Sequence, residues 1–310
     1  MVKTPAQHTI SGGGRKSRPA TMALLHRSRT EDAFAVGWNQ RGEGYFTVQA
    51  RLPSDHPFFT PTPQGTYDPL LLVEVMRQSS ILVSHAGLGV PLDYHFMLSD
   101  LEFACRPEYL AIHAGPDDVE IDVLLPEISR YTSGKPSRLT CHWIMRRAGW
   151  TVATGVGRTR FTSPQVYQRL RMGRQTAVAC APSATPLPEH HVGRTRAEDV
   201  LLCPADEPNT WQLSVDTTHP TLFQRPNDHV PGMVLFEAAR QAAAATLGPE
   251  RCIPSSGAVS FRRYAEFGEP FQLRTAVRGS AQRGERTEVR VLGLQSGRQV
   301  FDCTFVIPAR

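Results

Sequence analysis

The sequence predicts an α+β protein made of two like halves, each a single central helix wrapped by a curled antiparallel β-sheet. Two observations carry that reading. The chain repeats one set of polar residues at fixed spacing, and each copy falls on a long apolar helix set among alternating runs. His56-Pro57 precedes Glu74 by 18 residues, and His219-Pro220 precedes Glu237 by the same 18. Each Glu opens the same string, with Arg77 and Gln78 in one copy and Arg240 and Gln241 in the other. Upstream, Arg27, Arg29, Glu31 and Asp32 match Arg194, Arg196, Glu198 and Asp199. Two copies make a fused pair, not a solenoid.

In chain order, residues 1–20 are basic and contain Gly12-Gly13-Gly14, and they read as a disordered tail. Residues 21–171 form the first unit. Within it, Tyr45 to Leu52 reads as a strand. Asp68-Pro69 then opens a helix as cap and first residue, and the helix runs through Leu70 to Val73 towards His85. Val119-Glu120-Ile121-Asp122-Val123 alternates at period two, as a half-buried strand does. Residues 172–191 read as a linker rich in Ala, Pro, Ser and Thr, leaving 192–310 as the second unit. There Trp211 to Val215 is a strand. Gly232 to Leu247 is apolar all round except at Glu237, Arg240 and Gln241, the mark of a buried helix. Phe271 to Arg274 and Val289 to Val291 alternate again. The four isolated tryptophans (Trp38, Trp143, Trp150, Trp211) read as core.

Composition excludes several classes. Lys and Arg total 34 against 29 Asp and Glu, a net +5, and four of those positive charges lie in the acid-free first twenty residues. What remains is too weak a field to argue for nucleic acid. The six cysteines are scattered without CxxC or CxxH spacing, which suits a reducing cytosol better than zinc or disulfides. No apolar run is long enough to span a bilayer, and no secretory signal opens the chain. The expectation is a cytoplasmic protein with no metal or redox cofactor, no membrane and no nucleic-acid partner.

The string HPTLFQRPNDHVPGM followed by EAARQ resembles the His…Pro-Gly…Glu signature of hotdog acyl-thioester enzymes. With HRSRTEDAF at His26, DHPFF at Asp55, YHF at Tyr94 and RFTSPQVYQRLR at Arg160, the chain is similar to the A-factor biosynthesis (AfsA-type) family from about residue 20 to 308. The resemblance implies a tandem hotdog, a pseudo-dimer within one chain. It also implies an acyltransferase of γ-butyrolactone autoregulator synthesis, moving a β-ketoacyl group from a thioester to dihydroxyacetone phosphate. Whether acyl carrier protein or coenzyme A is the donor stays open. Ser79-Ser80 depart from the small apolar residues expected in the first helix.

Such a transfer needs an oxyanion donor, a base and a hold on the acceptor. Gly232, first in its helix, offers a free N–H, whereas its counterpart Pro69 has none. Glu237 and Glu74 are candidate bases if burial raises their pKa, or else structural ion pairs with the Arg three residues on. Arg240 and Arg77 are candidate phosphate ligands, with the same ion pair as the alternative. His219, His56 and His229 are candidate proton shuttles, with loop packing as the alternative. In paired hotdogs the clefts lie between units, so His219 and Gly232 are expected to face Glu74. Arg169, Arg171 and Arg174 read either as a solvated helix end or as a greeting to an acidic carrier. Two rival functions remain: a dehydratase or thioesterase on the same thioesters, and a non-catalytic lactone- or acyl-binding regulator.

Overall fold

The computed structural model describes residues 17–172, 184–279 and 286–309. The first half contributes β1 (Arg18–Pro19), β2 (Ala35–Gly42), β3 (Tyr45–Arg51), α1 (Pro69–Ala86) and β4 (His95–Cys105). It continues with β5 (Asp118–Arg130), β6 (Pro136–Arg147), β7 (Trp150–Thr162) and a short α2 (Pro164–Leu170). The second half contributes β8 (Leu202–Pro204), β9 (Thr210–Leu213), α3 (Gly232–Leu247), β10 (Ser256–Phe261), β11 (Phe271–Arg278), β12 (Thr287–Gln295) and β13 (Arg298–Ile307). The described strands join in one antiparallel sheet, ordered β1-β2-β3-β5-β6-β7-β4-β10-β13-β12-β11-β9-β8.

The halves meet where β4 pairs with β10, from Ser256 opposite Ala104 to Ser260 opposite Asp100. Gly257 is required at this seam, because a Cβ there would stand 2.7 Å from the Phe103 ring and 2.9 Å from Phe305. Each half curls around its helix. α1 buries Leu70 to Met76 and Ile81 to Val83, so it has no solvent stripe, as its all-round apolar sequence requires. α3 does the same with smaller residues, Ala238, Ala239 and Ala242 to Ala244, which let its sheet close tightly.

The two helix starts differ as the sequence requires. The Asp68 carboxylate accepts the Leu70 N–H at 2.8 Å and caps α1, with Pro69 behind it. α3 begins at Gly232 after Pro231, with no side-chain cap.

Two boundaries differ from expectation. The sequence places a disordered tail over residues 1–20, but Arg18–Pro19 pairs with Gly37–Trp38, and the Arg18 guanidinium lies 5.0 Å from the Trp38 ring centre. Residues 1–16, including Gly12-Gly13-Gly14, fall outside the described residues, as do 173–183 of the linker. The linker's far end is ordered: Leu187 N–H donates to Leu202 C=O at 2.8 Å, and Glu189–His191 forms a 3-10 turn. Among the described residues, no helix is long and apolar enough to cross a membrane.

Candidate active site

The repeated residues form the same lock in both halves. Glu74 accepts from Arg77 Nε at 2.8 Å and Gln78 Nε2 at 2.8 Å, and is also paired with Arg27. Glu237 accepts from Arg194 Nε, Arg240 Nε and Gln241 Nε2, each at 2.8 Å. Both glutamines reach on to the loop before the helix. Gln78 accepts the Phe34 N–H and donates to Asp32 C=O, and Gln241 accepts the Leu201 N–H and donates to Asp199 C=O.

This geometry reverses the expected electrostatics of the two acids. Burial alone would push each carboxyl up. In Glu74 the charges of Arg27 and Arg77 outweigh it, and in Glu237 those of Arg194 and Arg240 do. Both carboxyls are left at about 2, well below the usual carboxylate range. Neither is poised as a general base near neutrality. The ion-pair alternative is the one the geometry supports.

His56 and His219 complete the lock. His56 Nε2–H donates to Asp32 at 3.2 Å, while Nδ1 accepts from Phe58 N–H and Phe59 N–H. His219 repeats the pattern with Asp199 at 2.9 Å and the N–H groups of Thr221 and Leu222. With both ring nitrogens occupied and the rings buried, these histidines pin the loops ahead of the helices. The expected approach of His219 to Glu74 is absent; His219 instead packs against Phe58, ring centres 5.5 Å apart.

Arg240 also departs from expectation. It is 7% exposed, and its donors go to Glu237 and to Val192 C=O, so it has no face to offer a phosphate. Arg194 fills the neighbouring space, donating to Phe58 C=O at 2.6 Å and lying 3.5 Å from the Asp68 carboxylate that caps α1. The end of α1 is therefore closed by side chains of both halves.

The end of α3 is open. A cavity of about 1210 Å³ lies between the halves and is lined by Glu74 and Arg77 from one and by Gly232 and His229 from the other. The N–H groups of Gly232 and Met233 have no partner among the described residues; the first bonds of the helix come from Val234 and Leu235 to Pro231 C=O. Two free N–H groups at the positive end of a helix dipole make a place for developing negative charge. A Cβ at Gly232 would stand 3.2 Å from the Phe261 ring, so glycine also allows the close approach there.

One corner of the cavity is strongly positive. Arg27, Arg77 and Arg225 converge on it with Glu74 as the counter-charge. Arg225 lines the cavity and has no ion pair among the described residues. Burial first, then Arg77 and Arg27, push its pKa down. The same field reaches His26, which burial, then Arg225, His85, Arg77 and Arg27, depress to about 3. His26 Nε2 sits 2.8 Å from His85 Nε2, and His85 Nδ1–H donates to Val90 C=O at 2.7 Å.

Opposite stands His229, the third expected histidine. Its Nδ1 lies 2.7 Å from Asp228 Oδ1, which assigns the ring proton to Nδ1. Nε2 then carries a lone pair and has no partner among the described residues. Asp228 is itself held by the Tyr167 hydroxyl at 2.8 Å and Arg171 Nε at 2.7 Å. Arg171 also forks onto Glu266 at 2.8 and 2.7 Å, so it is buried and is not a solvated helix end. Arg169 is exposed, and Arg174 lies outside the described residues. Ser79 and Ser80 donate to the C=O of Met76 and Arg77, which satisfies their hydroxyls within the helix.

Sequence reasoning missed Arg225, Asp228 and Tyr167. Arg225, Asp228 and His229 occur in one half only: at the repeat offset the first half has Thr62, Gly65 and Thr66. The usable signal was that asymmetry.

Comparison with known proteins agrees with this architecture. The profile of the A-factor biosynthesis hotdog domain (AfsA) matches residues 11–163 and 175–307. A Streptomyces coelicolor protein named 2-oxo-3-(phosphooxy)propyl 3-oxoalkanoate synthase is 47% identical over 291 residues, 94% of this chain and 92% of its own. A Streptomyces griseus protein of the same name is 43% identical over 283 residues, 91% of this chain and 93% of its own. Among solved structures, a putative oleoyl thioesterase from Lactobacillus plantarum superposes with TM-score 0.54 at 12% identity, over 86% of this chain and 96% of that one. The 12:0-ACP thioesterase of Umbellularia californica gives TM-score 0.54 at 12% identity, over 87% and 99%. At that identity the likeness is one of fold.

Proposed function

Because this chain belongs to the A-factor biosynthesis hotdog family and has its tandem hotdog fold, we propose that it is the acyltransferase that joins a β-ketoacyl thioester to dihydroxyacetone phosphate. The product would be a 2-oxo-3-(phosphooxy)propyl 3-oxoalkanoate, the compound named in its relatives. The observation that carries the reading is one chamber holding an arginine corner, an unengaged imidazole nitrogen and an open helix start.

The acceptor's phosphate sits against Arg27, Arg77 and Arg225, whose charge exceeds that of Glu74 by two, a match for a dianion. His229 Nε2 takes the proton from the acceptor hydroxyl, and Asp228 stabilises the imidazolium through Nδ1–H. The hydroxyl oxygen attacks the thioester carbonyl, and the oxyanion lies at the N–H groups of Gly232 and Met233. Collapse breaks the C–S bond, His229 returns its proton to the departing thiolate, and the new C–O bond completes the ester. Ile81, Phe96, Leu98 and Leu101 give the acyl chain an apolar wall. An acyl carrier protein or coenzyme A would supply the thiol.

The test is mass spectrometry of the purified protein with a β-ketoacyl thioester and dihydroxyacetone phosphate, beside Arg225→Ala and His229→Gln. The acylated triose phosphate should form with wild type and fall steeply in both variants. Free β-keto acid, released at the same rate without the phosphate acceptor, would make the protein a thioesterase and overturn the proposal.

A further inference from the structure

We infer that Trp143 is the end stop of the acyl pocket and sets the longest chain that the enzyme accepts; this deepens the acyltransferase reading and rests on it. Three strands lie side by side under α1. Leu101 on β4 stands opposite Gly157 on β7, which stands opposite Cys141 on β6. One step along, Phe103, Gly155 and Trp143 form the next row. On β7 the side chains facing inward would be those of residues 155, 157 and 159, because alternate residues share a face. The cavity wall includes Thr159 and Leu101 but neither glycine.

The indole of Trp143 occupies the space above those two glycines. A Cβ on Gly157 would stand 2.5 Å from Trp143 Cη2, and a Cβ on Gly155 would stand 3.1 Å from Trp143 Cε3 and 2.9 Å from Met76 Sδ. The six-membered ring of the indole thus leans out of its own row, over Gly157, to meet the cavity beside Leu101. Trp143 lines the cavity and is 3% exposed. Behind it lie Met76 and Phe103, both buried core. The trough along β7 is continuous in backbone and is plugged at one point by one side chain.

This arrangement explains the paired glycines Gly155 and Gly157. Paired glycines in the middle of a long strand weaken it and need a reason in packing. Here the reason is a tryptophan whose Cε3, Cζ3 and Cη2 atoms take the space that a side chain at either position would need. The same plug divides an apolar wall that suits a hydrocarbon chain from a core that needs no ligand.

Removing the indole should reopen the trough. Trp143→Ala would leave a void of roughly the 150 Å³ that admits a benzene-sized apolar guest elsewhere. That is room for a chain longer by about four carbons, at about fourfold in affinity for each methylene taken out of water. Trp143→Phe should lengthen the limit by less. Thr159→Leu, one step before the plug on the same face, should shorten it.

The experiment measures binding and turnover separately, over a graded series of β-ketoacyl pantetheine thioesters and their non-transferable thioether analogues. Calorimetry gives the chain length at which wild-type affinity stops rising, and thermal melts establish that each variant is folded. The expected result is a cutoff moved to longer chains in Trp143→Ala, by a smaller step in Trp143→Phe, and to shorter chains in Thr159→Leu, with turnover following. A wild-type cutoff that stays in place in Trp143→Phe and Thr159→Leu, both folded, would overturn the end-stop role and leave the acyltransferase reading untouched. Binding that ignores chain length in the wild type would remove the acyl pocket itself. Chain-length selection without ester formation would preserve the stop while overturning the transfer reaction.

Discussion

Glu237→Gln should cost this protein its stability before its chemistry. The carboxylate is 1% exposed and holds two buried guanidinium groups, Arg194 and Arg240, with side chains 1% and 9% exposed. Glutamine keeps the shape but removes the charge, stranding two cations where water cannot reach them. Breaking a buried pair from one side costs about 3–5 kcal/mol. The carboxyl itself gives a similar figure, since its fall from 4.5 to about 2 on folding is worth about 3 kcal/mol at neutral pH. Set against a total stability of roughly 5–15 kcal/mol, that is a large share. For a chain of 310 residues the thermal midpoint should fall by about 5–8 °C. Glu74→Gln should cost less than Glu237→Gln, because the Arg27 and Arg77 side chains, 12% and 21% exposed, border the cavity and can be rehydrated. Differential scanning calorimetry of both variants beside wild type makes the comparison, with acyl transfer measured below each transition. A Glu237→Gln protein that melts with wild type and yet transfers nothing would refute the lock and return this carboxylate to the chemistry.

Three further outcomes follow from the same geometry. Arg225→Ala should raise KM for the triose phosphate by about tenfold to a hundredfold, the worth of a charge-assisted hydrogen bond, while the melt is unchanged; steady-state kinetics against the acceptor reads it. His229→Gln should lower kcat by about 10²–10⁴ with little change in the melt, whereas His219→Gln, which breaks a buried contact to Asp199, should lower the melt. In acid, Glu74 and Glu237 have folded pKa values depressed from 4.5 to about 2. Their stabilisation is therefore complete above about 4.5 and drains away as pH falls towards 2. A midpoint-against-pH series should show that loss, and it should be shallower in Glu237→Gln.

The architecture was legible because what repeats in the sequence is what holds each half together. Glu, Arg and Gln on the helix, with Asp and His ahead of it, recur since both copies must tie a loop to a buried helix by the same hydrogen bonds. That legibility misled the search for the site. Repetition drew attention to Glu74, Glu237, His56 and His219, whose polar atoms are already engaged, the acids by Arg and Gln side chains and the imidazoles by Asp and backbone N–H groups. Burial alone suggested raised carboxyl pKa values, because the upstream partners Arg27 and Arg194 lie more than forty residues away in the chain. The asymmetry of Gly232 against Pro69 did carry through, since a missing N–H is a covalent fact that no tertiary contact can override. Arg225 and Asp228 were invisible as a pair with Arg77 and Tyr167, because loops meeting across a seam leave no periodicity to read.

The closed start of α1 and the open start of α3 have a consequence for how such a protein can change. In a dimer of identical subunits, every substitution appears in both clefts, so a mutation that seals one seals the other. Joining the two copies in a single chain lifts that symmetry. Asp68, Pro69 and Arg194 can then turn one cleft into a solid brace, while the other is free to acquire an arginine corner and an imidazole. One cleft serves as a rigid frame, and the other is left as the chamber that can be specialised against it.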